Sequence, residues 1–175
     1  SYGIMIGDFV RDKDAITASL FACEIANYLK QNSSSMFNSL IDIYVKHGFY
    51  KEELMSITKK GKDGQLEIQN IIDNFKNNPP KQIGGSEVIT IDDYKKSQTL
   101  DLKTNRVSKI NFPKSNVIEF NTANGTKVVL RPSGTEPKIK MYISVNIKLE
   151  SKEQYFEKND FLNNKIKSII EEINL

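Results

Sequence analysis

The chain has 175 residues, of which 38% are hydrophobic and 27% charged, and its net charge is +3 at pH 7. That length suits one ordinary domain or two small ones, and so mild a charge gives no strong attraction to nucleic acid or to an acidic membrane surface. A single cysteine, Cys23, excludes an internal disulfide, and a single histidine, His47, excludes a cluster of histidine metal ligands. We therefore expect a soluble, cytoplasmic protein with no membrane span and no signal peptide.

The N-terminal part of the sequence predicts a short strand and then two helices. Apolar residues within 4–10 suggest the strand, and Asp14 is placed to cap a helix over residues 15–30 with its carboxylate. That helix is apolar on nearly every side, which is typical of a helix buried all round. A second helix over residues 35–46 would end at Gly48, because glycine readily adopts the left-handed conformation that closes helices.

From residue 49 the pattern changes to that of a mixed unit of strands and helices, and we place the boundary near residues 48–51. Period-two alternation predicts strands, and apolar spacing of three to four residues predicts amphipathic helices. A polar segment over residues 95–114 has few apolar anchors and is predicted to be a long surface loop. The predicted strands cover residues 54–58, 86–94, 116–122, 127–132 and 138–145, and the predicted helices cover residues 65–77 and 152–173.

Between the last two predicted strands lies the polar stretch RPSGTEPKIK. Arg131 offers a planar fork of donors that fits phosphate or carboxylate, and the hydroxyls of Ser133 and Thr135 add further donors. Gly134 lets a ligand approach the backbone and can take a positive φ. Successive backbone N–H groups in such a turn can form a concavity that binds anions.

The strand that follows adds two cations to this stretch. Alternation places Lys138 and Lys140 on one face and apolar residues on the other. A phosphate dianion is the ligand that best suits this set, although Glu136 must then point outward or pair with a lysine. The alternative is a polar hairpin whose lysines only protect a strand edge.

The stretch RPSGTEPKIK closely resembles the phosphate-binding loop in the last domain of the α-D-phosphohexomutases, the family of phosphoglucomutases and phosphomannomutases. Other motifs of that family follow in the same order, and the resemblance is closest to the branch that includes bacterial phosphoglucomutases. SYG at residues 1–3 is similar to the end of the family's sugar-binding EESYG loop. Further similar motifs are VRDKDA at 10–15, GG at 84–85, DDY at 92–94 and NVIEF at 116–120.

The resemblance implies a four-domain parent enzyme. In the family, the first domain carries a phosphoserine, the second a magnesium-binding aspartate loop, the third reads the sugar hydroxyls and the fourth clamps the substrate phosphate. The chain has neither a Ser-His-Asn-Pro stretch nor an Asp-x-Asp-x-Asp loop. Residues 1–48 would thus be the helical end of the third, α/β domain. Residues 49–175 would be the fourth, an α+β domain similar to the TATA-box-binding protein, with an antiparallel sheet packed by two helices.

The implied activity of the parent is intramolecular phosphotransfer between hexose 1-phosphate and hexose 6-phosphate. Mg²⁺ and a hexose bisphosphate activator would serve the full-length enzyme without binding to this chain, which alone would be inactive. The alternative is a non-catalytic module that binds phosphosugars or other anions. The expected partners are a phosphosugar and the missing N-terminal domains, with no nucleic acid and no membrane. Apolar surface left exposed on residues 15–29 would also favour self-association.

The family's phosphate ligands correspond to Arg131, Ser133, Gly134 and Thr135, with Lys138 or Lys140 as a further cation. Ser1 matches the serine that contacts sugar hydroxyls. Lys13 matches a lysine near the reacting sugar, or is simply a solvated lysine at a helix start.

The other candidates receive structural roles. Asp12 and Asp14 fit a helix start better than a catalytic role. Cys23 falls on the helix face that we expect to be buried, so it is predicted to be a core residue and not a nucleophile. His47 falls at a helix C-terminus, where the helix dipole favours a cation, and it is also predicted to be structural.

Overall fold

The computed structural model describes residues 4–59, 61 and 63–173. The chain forms two compact units. The first consists of Ser1–Gly48 with Leu149–Tyr155, and the second of Phe49–Lys148 with Phe156–Leu175. No helix in the described ranges is long and apolar enough to cross a membrane.

Two capped helices form most of the first unit, α1 (Ala15–Gln31) and α2 (Met36–His47). Asp14 caps α1 as predicted, because its carboxylate accepts the backbone N–H groups of the first turn at 3.2 and 3.0 Å. The hydroxyl of Thr17 donates to the same carboxylate, which, with these backbone bonds, lowers the pKa of Asp14. At the other end of the pair, the Gly48 N–H donates to the Tyr44 carbonyl at 2.8 Å and closes α2.

Two predictions for this unit are wrong. Residues 4–6 form no regular structure and residues 7–10 form bends, so no strand is present there. α1 buries no residue within this chain and Ile16 is 81% exposed, so apolar surface on residues 15–29 is exposed, as expected for a helix whose cover lies elsewhere in the parent protein. Cys23, which we expected in the core, is exposed as well. Apolar periodicity shows that a helix face needs cover, but it does not show whether the cover lies within the same stretch of chain.

An eight-stranded antiparallel sheet dominates the second unit, and α3 (Gly64–Asn77) and α4 (Tyr155–Ile173) pack on one of its faces. The predicted α+β class, with an antiparallel sheet packed by two helices, is confirmed. The sheet order is β1-β8-β7-β6-β3-β4-β5, and β2 pairs with β3 beside this path. The strands are β1 (Phe49–Thr58), β2 (Gln82–Ile83), β3 (Ser86–Asp93), β4 (Gln98–Asp101), β5 (Val107–Lys109), β6 (Ile118–Thr122), β7 (Lys127–Pro132) and β8 (Lys138–Ile147).

The core lies between the helices and one face of this sheet. Strand alternation buries every second side chain of the central strands, as with Leu130 on β7 and Met141 on β8, which are both fully buried. A register shift in β3 between Val88 and Thr90 turns both Val88 and Ile91 to the buried side. The opposite face of the sheet therefore carries the polar and charged residues.

Two further corrections concern strands that the sequence pattern hid. β1 begins at Phe49, not near residue 54, because its whole length pairs with β8. The predicted loop over residues 95–114 contains β4 and β5, which extend the sheet from β3. All three residues of β5 are exposed, so no buried side chains marked it as a strand. Backbone pairing alone defines this edge of the sheet.

The turn at Gly84 and Gly85 holds β2 and β3 against α4. Both glycines have positive φ, and the Gly84 N–H donates to Glu172 Oε2 at 2.7 Å. A Cβ at Gly84 would lie 2.9 Å from the Ile169 side chain, whereas a Cβ at Gly85 would meet nothing within 4 Å. The two positions thus share a left-handed backbone that disfavours any side chain, and they differ only in the space beside them.

We predict that Gly84→Ala destabilises the chain more than its matched control, Gly85→Ala. Each substitution should lower the free energy of unfolding by about 1 kcal/mol, because alanine disfavours positive φ. Gly84→Ala should add about 1–3 kcal/mol for overpacking against Ile169. Urea unfolding measures both values. Equal losses for the two variants would show that the turn does not pack on α4 as described.

Candidate anion-binding site

The stretch that the sequence singles out lines a pocket of about 240 Å³ at the end of β7 and the start of β8. Three cationic side chains contribute to it, together with the connecting loop. The lining residues are Arg131, Pro132, Ser133, Gly134, Glu136, Lys138 and Lys140.

Strand register sets the charge of this pocket. Arg131 lies directly opposite Lys140 in the antiparallel pair of β7 and β8, so both side chains leave the same face of the sheet. Lys138 lies two residues before Lys140 and shares that face. Among the residues that the structure describes, no carboxylate forms an ion pair with any of these three cations. Like charges directly opposite in a sheet repel each other, so this arrangement lowers stability unless an anion binds between them.

The loop between the strands presents weakly held backbone donors. Ser133 Oγ accepts the N–H groups of Thr135 and Glu136 at 3.4 and 3.3 Å, which are long hydrogen bonds. Both N–H groups therefore converge on one point and could transfer to a stronger acceptor at little cost.

Strong backbone bonds hold the ends of the same loop in place. The Ser133 N–H donates to the Lys138 carbonyl at 2.7 Å, and the Lys59 N–H donates to the Pro137 carbonyl at 2.9 Å. Lys59 follows β1, so a strand distant in sequence helps to fix the loop. No sequence signal indicated this bond, because it joins main-chain atoms only.

This arrangement suits a tetrahedral oxyanion. A guanidinium can donate two parallel hydrogen bonds, ammonium groups add charge without fixed direction, and converging N–H groups fill the remaining acceptor positions. The pocket is open, and Gly134 leaves empty space where a side chain would otherwise stand. The site can therefore bind and orient a phosphate group, but it contains no nucleophile beside a general base.

The structure brings most of the predicted site residues together, with two differences in detail. Gly134 does not have a positive φ. What it contributes to the site is the open space where a side chain would otherwise stand. Glu136 lines the pocket but is exposed, and among the described residues it forms no ion pair with a lysine. Thr135 is exposed outside the pocket lining and offers its N–H group.

The sugar-side candidates belong to the first unit. Ser1 lies outside the described residues. Lys13 is exposed, and its Nζ atom lies 3.1 Å from Asp12 Oδ1. His47, which we predicted to have a structural role and not a sugar contact, is the exposed last residue of α2.

A polar network on the open face of the sheet was not predicted from the sequence. The Asp92 carboxylate accepts hydrogen bonds from Thr99 and Asn121, and Glu119 Oε1 pairs with Lys127 Nζ at 3.0 Å. Burial raises the pKa of the Tyr94 hydroxyl, and the neighbouring Glu119 and Asp92 carboxylates raise it further. Each carboxylate in this network has partners, so the network holds strands together and leaves no free base.

Metal ligands are not grouped in the part of the chain that the structure describes. No set of three or more His, Cys, Asp or Glu side chains there could hold a metal ion. The described residues therefore do not fit a magnesium site.

Comparison with known proteins identifies the class of protein that carries this fold and site. No family model matches the chain. It is 41% identical over 145 residues to a phosphoglucomutase of Staphylococcus aureus strain MSSA476, and 39% identical over 146 residues to one of Staphylococcus epidermidis. Each match covers 83% of this chain. The chain thus belongs to the phosphohexomutase family, and its resemblance to the C-terminal part of such an enzyme is confirmed.

The particular relatives are phosphoglucomutases, and the chain spans about a quarter of their length, 26% and 27% for the two staphylococcal proteins. A solved structure of the Paramecium phosphoglucomutase pp63/parafusin, in its open form, has the same fold with a TM-score of 0.52. That comparison has 19% sequence identity and covers 95% of this chain and 28% of the other.

Proposed function

We propose that this chain is the phosphate-binding C-terminal part of a mutase that interconverts hexose 1-phosphate and hexose 6-phosphate. The observation that carries the proposal is the cationic pair of Arg131 and Lys140, opposed on neighbouring strands without a carboxylate partner in the described chain. Such a pair lowers the stability of the free protein, and binding of a dianion restores it. Relatives that are phosphoglucomutases supply a substrate class with that charge.

The pocket between β7 and β8, which is lined by Arg131, Lys138, Lys140 and the connecting loop and is here called the clamp, would hold the phosphate that does not react. A mutase must accept its substrate in two orientations, so this part of the site should recognise phosphate and little else of the sugar. Charged side chains and backbone N–H groups have that property, since they do not depend on the sugar hydroxyls. Fixing one phosphate restricts the sugar and orients the other end for transfer.

The domain assignment is part of the same proposal. Residues 1–48 would belong to the third domain of the parent and residues 49–175 to the fourth. The phosphoserine donor, Mg²⁺ site and hexose bisphosphate activation would belong to the full-length enzyme, which we expect in the cytoplasm. Whether glucose or mannose is preferred depends on residues of the third domain, and self-association through α1 stays a prediction.

We predict that Arg131→Ala weakens binding of glucose 1-phosphate to the chain by about 1.5–3 kcal/mol, the usual contribution of hydrogen bonds to a charged group. Arg106→Ala is the matched control, because it removes the same side chain and charge from an exposed position outside the pocket. Titration of the ¹⁵N-labelled chain, followed at the Gly134 amide signal beside Arg131, measures both affinities at this pocket. Unchanged binding in Arg131→Ala, or an equal loss in both variants, would remove Arg131 from the site.

We also predict that the purified chain shows no turnover of glucose 1-phosphate, even with Mg²⁺ and glucose 1,6-bisphosphate present. The reason is that the described residues contain a binding pocket but no activated nucleophile beside it. A coupled assay for glucose 6-phosphate measures this. Detectable turnover that is lost in Arg131→Ala would contradict the division between binding and chemistry.

A further inference from the structure

A second basic pocket lies at the same end of the sheet as the clamp, between β4 and β5. Its volume is about 520 Å³, roughly twice that of the clamp pocket. It is lined by Lys96, Ser97, Gln98, Val107, Ser108, Lys109 and Lys114. Three lysines and two serines thus line one open depression of the surface.

The hairpin that forms this pocket holds an unusual share of the positive charge. Residues 95–114 contain six basic residues and one acidic residue, a net charge of +5. The whole chain carries +3, so the rest of it carries −2. A charge so concentrated on one hairpin attracts anions much more strongly than the mild net charge suggests.

Nearby carboxylates do not neutralise the lysines of this pocket. Asp93 pairs with Lys76 and accepts two backbone N–H groups, and the Asp101 carboxylate accepts backbone N–H groups of the following turn. Within the described ranges, Lys96, Lys109 and Lys114 form no ion pair.

Protection of an edge strand does not account for the cluster. β5 is the last strand of the sheet, and a lysine there, such as Lys109, discourages pairing with another chain. Lys96 and Lys114 lie outside every strand, however, and still line the same pocket. Their shared position indicates a ligand more than edge protection.

We propose that this second pocket binds a small phosphorylated molecule with more than one negative charge. The volume fits an organic phosphate better than a bare phosphate ion. Four strand spacings of about 4.8 Å, roughly 19 Å in all, separate β5 from the clamp strand β7. One hexose phosphate could not bridge the two pockets, so the second pocket takes a ligand of its own. This inference does not depend on the proposed mutase activity.

Titration of the ¹⁵N-labelled chain with inorganic pyrophosphate, followed by NMR, tests the proposal. The amide signals of Ser97 and Ser108 report on the second pocket, and that of Gly134 reports on the clamp. The test variant is Lys109→Gln with Lys114→Gln. The matched control is Lys103→Gln with Arg106→Gln, which removes the same charge from the same hairpin but from residues that do not line the pocket.

We expect saturable shifts of Ser97 and Ser108, with affinity reduced about tenfold or more in the test variant, as for loss of hydrogen bonds to a charged ligand. The control variant should lose less than about threefold, and the Gly134 signal should follow its own binding curve in both. Equal losses in the two variants would show that the hairpin attracts anions through its overall charge and has no specific site. Absence of saturable shifts with pyrophosphate would also overturn the proposal. So would a parallel titration in which only phosphatidylserine vesicles shift these signals.

Discussion

The repulsion between Arg131 and Lys140 is the constraint around which the functional end of this sheet is arranged. Register alone creates it, because antiparallel pairing of β7 and β8 places the two cations directly opposite each other. That register is fixed by the buried faces of the same strands, where Leu130 opposes Met141 in the core. Slipping by one residue would relieve the repulsion but would turn the core residues to solvent. The core thus keeps the two charges together.

The loop and its supports follow from that constraint. With both ends held by short backbone bonds, the loop cannot move away from the cations, and its Thr135 and Glu136 N–H groups stay beside them. Weak internal bonds to Ser133 leave those donors available to an oxyanion. The site thus combines a rigid position with donors that are only lightly used, and such preorganisation reduces the entropy lost on binding. The role that we propose for this site is recognition of phosphate, in a chain that spans about a quarter of the phosphoglucomutases to which it is related.

Much of this could be predicted from the sequence, for reasons that are visible in particular residues. The alternation in β6 to β8 and the apolar stripe of α4 were clear patterns in the sequence, because these elements bury one face against the core. The RPSGTEPKIK stretch was recognisable because its cations, hydroxyls and glycine are close together in sequence. Cys23 on α1 was misjudged as a core residue because the apolar character of a helix does not show which part of a protein covers it. β4 and β5 were missed because backbone pairing, and not burial, makes them strands, so the basic pocket between them was also missed.

Urea unfolding of the chain and of Lys140→Met, in sodium chloride and in sodium phosphate of equal ionic strength, tests the central claim most directly. If the opposed cations repel, Lys140→Met should raise the free energy of unfolding in chloride by about 0.2–1 kcal/mol. Phosphate should stabilise the unsubstituted chain more than chloride does, and the substitution should remove most of that gain. A variant that is less stable in chloride, or a phosphate gain that survives the substitution, would contradict the account.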